Sequence, residues 1–129
     1  MAKSRINRYL PIAYEAVKNS KIIKDDKLQG NYKAQITSFG VAISMGSLLS
    51  AIAFFSNKGS SDIERQELMK LIYYIIRKDK GGKEKYNDIK KYALFEYVKD
   101  DGNVKQEVLD AAIAIKLTLN LFIEDKGDA

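Results

Sequence analysis

The chain has 129 residues, 22 lysines and arginines against 17 acidic residues, and a formal net charge of +5. That length supports one domain with a real core. With no cysteine and no histidine, disulfides, thiolate metal sites, cysteine nucleophiles and the commonest general base are excluded.

The first segment, "SRINRYLPIAYEAVKNSKI", places Ile6, Leu10, Ala13 and Val17 on one stripe and Arg5, Arg8, Glu15 and Lys18 away from it, as an amphipathic helix requires. Pro11 needs a first-turn position or a kink, because it donates no amide proton. The basic start "MAKSRINRYLP" leads into no apolar stretch. No secretory leader is expected there, and a cytoplasmic location is the default.

From Ala34 to Phe55 the chain carries no charge, and this run poses the main question of the sequence. A membrane-spanning helix needs about 20 predominantly apolar residues. Here Gln35, Thr37, Ser38, Ser44, Ser47 and Ser50 interrupt the run, and "MGS" (Met45 to Ser47) reads as a break. The halves then show helical spacing: Ile36, Phe39 and Ile43 before the break, Leu48, Ile52 and Phe55 after it. The expectation is two helices and no membrane. "SFGVAIS" alone would also suit a strand.

"SDIE" (Ser61 to Glu64) has the form of a capping box. Behind it, Leu68, Leu71, Ile72, Ile75 and Ile76 follow the spacing of an apolar helical face. Tyr86, Ile89, Ala93 and Tyr97 suggest a fifth helix. A sixth, Val104 to Ile123, is apolar almost all round, so it is either central to the core or covered by a partner. "KDDKLQGN", "NKGSS", "DKGGKE" and "DDGN" are polar connections. The expected architecture is all-α: a single compact bundle of about six helices over residues 1–129, with residues 124–129 a frayed tail.

Charge is unevenly placed. Residues 1–33 hold eight basic groups against Glu15, Asp25 and Asp26, and residues 70–91 repeat that balance; from Tyr92 onward acids outnumber bases eight to four. A basic end and an acidic end suit both a polyanion-holding face and head-to-tail stacking of copies; lysine-rich solvation is the plainer alternative. Catalysis has little to draw on. Asp25–Asp26 and Asp100–Asp101 are sequence neighbours in turns rather than a spaced acid/base pair, and "DKGGKE" lacks phosphate-loop spacing. No enzyme, no metal site and no cofactor are expected, and the tyrosines sit at core-packing positions.

"AYEAVKNSK", "NYKAQ" and "LLSAIAFFSNKG", in that order, resemble the small all-helical subunit of the type III-B CRISPR effector, the Cmr complex. The matching positions are Ala13, Tyr14 and Val17; Tyr32, Lys33 and Ala34; and Ala53, Phe54, Phe55, Ser56 and Lys58. Where that family carries a Trp-Leu-Lys/Arg-Arg-Phe segment, this chain has Thr118 to Phe122. The resemblance implies a non-catalytic subunit whose copies stack as an inner filament beside the backbone and large subunits. Such a filament helps hold target RNA against the guide RNA. Sequence is then read by base pairing, and the protein meets phosphates and A-form shape. Under this reading Arg5, Arg8, Lys18, Lys21, Lys33 and Lys58 form the candidate RNA-facing surface, and the uncharged run is core plus a close-packing seam at Gly40, Ser44, Gly46 and Ser47. A helical adaptor that binds only proteins, and the small subunit of the type III-A (Csm) complex, are the alternatives.

Overall fold

The computed structural model describes residues 2–57 and 65–124, with side chains from Arg5 onward. Among them are six α-helices: α1 (Ala2–Lys18), α2 (Tyr32–Met45), α3 (Leu48–Phe55), α4 (Arg65–Asp79), α5 (Ala93–Val98) and α6 (Lys105–Leu119). Three two-residue strands, β1 (Ile23–Lys24), β2 (Lys27–Leu28) and β3 (Ile123–Glu124), form a small sheet at one end. The fold is all-α apart from that sheet.

The core is built from α1, α4 and α6. Contacts between Arg5 and Asp110 near one end, and between Tyr14 and Phe122 near the other, make α1 and α6 run parallel. Arg8 meeting Asp79, and Lys80 meeting Glu107, set α4 antiparallel to both. The apolar face expected of α4 is realised: Leu68, Leu71, Ile72, Ile75 and Ile76 are fully buried. They pack with Tyr9, Ala13 and Val17 of α1 and with Val108, Ala111, Ile115 and Leu119 of α6 in one continuous core. Each such aliphatic side chain stabilises the fold by about 1.5–3 kcal/mol relative to exposure.

The uncharged run is two helices, as its spacing implied, and the strand alternative for "SFGVAIS" does not hold. Ile36, Phe39, Ile43, Ala51, Ile52 and Phe55 turn inward, and Phe39 meets Phe55 edge-on at 5.3 Å. The break falls at Gly46, where an added Cβ would sit 3.1 Å from the Ala42 carbonyl oxygen. Ser47 then caps α3, its Oγ accepting from the Ser50 amide at 3.1 Å. Among the described residues no helix is long and apolar enough to cross a membrane.

Several expectations need adjustment. Pro11 lies well inside α1 rather than in its first turn; its missing amide forfeits the bond to the Asn7 carbonyl, and its ring crowds that carbonyl, which is the origin of a proline kink. The fifth helix is about one and a half turns long, because Tyr86 to Asp88 form a separate 3-10 turn and Ile89 to Tyr92 intervene. The last helix stops at Leu119, and Ile123 belongs to β3. Glu124 is the second residue of that strand, so the tail expected over 124–129 starts one residue later at the earliest; residues 125–129 lie outside the described residues, as does the Ser61–Glu64 box. The "KDDK" connection is itself a hairpin: Ile23 pairs with Leu28 and Lys24 with Lys27. Asp25 and Asp26, at φ 54° and 63°, form its two-residue turn. Both left-handed positions favour Gly, Asn or Asp, and that explains the doubled aspartate.

Candidate nucleic-acid interface

One end of the bundle gathers lysines. α1 finishes at Lys18; Lys21 lies in the following turn, and Lys24 and Lys27 flank the hairpin tip. Strand β3 adds to β2 in parallel, with Leu28 opposite Glu124. Lys33, in the first turn of α2, reaches Glu124 with Nζ 3.5 Å from Oε1. Lys18, Lys21, Lys24 and Lys27 are exposed, and none has a described carboxylate within ion-pair distance. Lys18 Nζ instead stands 5.6 Å from the centre of the Tyr14 ring, which stacks on Phe122 at 6.0 Å. This is a cation–π contact that leaves the ammonium free to meet an anion.

Arg5 and Arg8 are placed differently. They lie near the start of α1, roughly 15–20 Å along its axis from Lys18. Arg5 Nη1 donates to Asp110 Oδ2 at 3.0 Å; Asp110 is only 1% exposed and also accepts from Gln106 Nε2 at 2.9 Å. Arg8 makes a two-pronged contact with Asp79, 3.1 Å from Nε and 3.2 Å from Nη2. Those hydrogen bonds raise the guanidinium pKa above its ordinary value. Of the six expected RNA-facing residues, Lys18, Lys21 and Lys33 are therefore brought to one end, Arg5 and Arg8 are held in ion pairs toward the other, and Lys58 lies outside the described residues. Lys24 and Lys27 join the first group through the hairpin. The signal was present in the alternation Lys-Asp-Asp-Lys, which suits a two-residue turn.

Of the eight cations in the second basic stretch, Lys70, Arg77 and Lys80 are held in local pairs, while Lys78, Lys83, Lys85, Lys90 and Lys91 are exposed with no described carboxylate within ion-pair distance. Lys70 sits 3.5 Å from the buried Glu67, whose carboxylate also accepts from Tyr86 at 2.7 Å. Arg77 pairs with Glu84 at 3.1 Å, and that carboxyl is held below its usual range by its own backbone amide and by Arg77. Lys80 donates to Tyr97 at 2.9 Å and lies 3.1 Å from Glu107, to which Tyr97 also donates at 3.0 Å, and the ammonium pKa rises with its bonds to Tyr97 and Glu107. Tyr9 is buried beneath this corner, and desolvation pushes its hydroxyl pKa well above the ordinary value.

Three of the four adjacent aspartates shape turns. Asp25 and Asp26 make the hairpin turn, and Asp101 Oδ1 accepts from the Asn103 amide at 2.9 Å to cap a 3-10 turn. Among the described residues no group of three or more acidic side chains is placed to hold a metal ion.

Neither the curated proteins nor the solved structures contain a match to this chain. Residues 5–118 match the family model described as CRISPR-associated protein (Cas_Cmr5). That span runs from the Arg5–Asp110 pair almost to the end of α6 and takes in every helix packed in the core. On that match the chain belongs to the Cas_Cmr5 family of Cmr-type CRISPR small subunits.

Proposed function

We propose that the chain is a non-catalytic small subunit of a type III-B CRISPR effector, cytoplasmic in location. Copies of it stack as an inner filament beside the backbone and large subunits and help hold target RNA against the guide RNA. The observation that carries this reading, beyond family membership, is the lysine-bearing end formed by Lys18, Lys21, Lys24, Lys27 and Lys33. Four of these have no described carboxylate partner, and the fifth is opposed only by Glu124 at the surface. Phosphates need just such a face, because backbone contact carries affinity without sequence preference. Arg5 and Arg8, paired with Asp110 and Asp79, lie toward the other end of α1, and Lys58, outside the described residues, is proposed for the same phosphate-facing surface.

The test is target-RNA retention by the assembled effector at several salt concentrations, comparing wild type with Lys18→Glu/Lys21→Glu/Lys33→Glu. Removing one phosphate contact lowers the magnitude of the slope of log K against log[salt] by about 0.7–0.9. The triple variant is therefore expected to bind more weakly with a flatter slope. Unchanged retention with an unchanged slope would favour the protein-only adaptor reading.

A further inference from the structure

The end of the bundle that carries the lysines also carries an exposed aromatic ring. α4 runs antiparallel to α1, so its first residue, Arg65, lies where α1 finishes. Arg65 Nε donates at 2.9 Å to Oε1 of Gln35, in the first turn of α2 and two residues beyond Lys33. The guanidinium carbon then stands 5.1 Å over the centre of the Phe54 ring and 5.7 Å over that of Phe55. Phe55 is buried against Phe39, whereas Phe54 is 60% exposed and meets Phe55 edge-on at 5.5 Å. No described carboxylate lies within ion-pair distance of Arg65.

Phe55 and Phe39 fill the core beneath, so Phe54 adds a ring to the surface rather than to the packing. Arg65 covers one face of that ring, and the exposed area lies on the rest of it. A guanidinium tethered through Nε still offers two Nη groups, whose planar fork suits a phosphate. An apolar partner laid on the ring would strip water from this cation without neutralising it, which is unfavourable. A nucleotide brings both complements at once: its base stacks on the ring, and its phosphate meets the cation. We propose that Phe54 and Arg65 form a stacking platform for one unpaired nucleobase of an RNA strand whose adjoining phosphates lie on Arg65 and the lysine-bearing end. The proposal rests on the RNA-holding reading above and adds to it a base contact, which lysines facing phosphates do not supply.

The experiment uses the full chain at low salt and two polyanions, a short unpaired oligoadenylate and linear inorganic polyphosphate, which has no bases. The chain has no tryptophan of its own, so Phe54→Trp supplies a single reporter at the platform. Its emission should fall as oligoadenylate saturates the chain and stay unchanged with polyphosphate. Phe54→Ala should weaken oligoadenylate binding by about five- to hundredfold, the usual loss for one stacked base. Its polyphosphate affinity and the salt slope of both ligands should match wild type, because stacking releases no counterions. Phe54→Tyr should restore the affinity. Lys18→Glu/Lys21→Glu should instead weaken both ligands and flatten both slopes. Unchanged emission at saturation, equal quenching by polyphosphate, or wild-type oligoadenylate affinity in Phe54→Ala overturns the platform and leaves the phosphate-holding face standing. A Phe54→Ala chain that binds oligoadenylate normally but is lost from the assembled effector marks the ring as a protein contact and overturns it as well. Failure of the wild-type chain to bind either polyanion removes the RNA-holding reading and this proposal together.

Discussion

Arg5→Ala is the substitution whose consequence the structure defines most closely, because the two ends of its ion pair see different surroundings. Asp110 is buried at 1% exposure, whereas the Arg5 side chain is 30% exposed and reaches inward to it. Removing the arginine leaves a buried carboxylate with only the Gln106 amide at 2.9 Å. Breaking a buried pair by removing one partner costs about 3–5 kcal/mol, and losing a hydrogen bond to a charged group about 1.5–3. Water entering where Arg5 stood screens part of this, so about 2–3 kcal/mol is expected. For a chain of this length that lowers Tm by about 8–12 °C. Asp110→Ala in the Arg5→Ala background removes the stranded charge and should recover part of the loss, since net stability of such pairs is small even when single truncations are costly. Urea denaturation of wild type, both single variants and the double variant gives the coupling directly. A loss below about 0.5 kcal/mol for Arg5→Ala, or a double variant no more stable than Arg5→Ala, would refute the account. Arg8→Ala serves as the contrast: its pair with Asp79 is open to solvent and should leave Tm close to wild type.

Alkaline pH should destabilise the fold. The pKa values of Tyr9 and Tyr73 are raised by burial and that of Lys80 by its bond to Tyr97, so their stabilisation is complete below the unfolded values near pH 10–10.5 and is lost as pH rises toward the folded ones. Melting curves should be flat from pH 7 to about 9 and fall above about pH 10, with Tyr9 alone contributing up to about 1.4 kcal/mol per pH unit; an unchanged Tm at about pH 11 would contradict this. Thr118→Val should be neutral or stabilising by up to about 1 kcal/mol in chemical denaturation, because the buried Thr118 hydroxyl has no hydrogen-bond partner among the described residues; a clear loss of stability would mean that the hydroxyl is satisfied. Ile72→Ala, at the centre of the α1–α4–α6 core, should cost about 2–5 kcal/mol by thermal or urea unfolding, and a loss under about 1 kcal/mol would place it at a collapsible margin.

What the sequence determined by itself was the helical content and the apolar faces. The spacing of Leu68, Leu71, Ile72, Ile75 and Ile76 is a local property of a 3.6-residue repeat, and every one of these side chains is buried. The break at Gly46–Ser47 was legible for the same reason, since a glycine stop and a serine cap act within one turn. The sheet was not legible: two-residue strands show no alternation, and β3 meets β2 only because α1 and α6 run parallel and end together. The partners of the basic residues were equally hidden. Periodicity put Arg5, Arg8 and Lys18 outside the apolar stripe, but not which of them faced water; Asp110 lies 105 residues from Arg5 and Asp79 71 residues from Arg8. Only the packing of α1 against α4 and α6 decided which cations are neutralised by carboxylates and which remain available to phosphate, because ion pairing depends on distance in space and helical spacing constrains only neighbours along the chain.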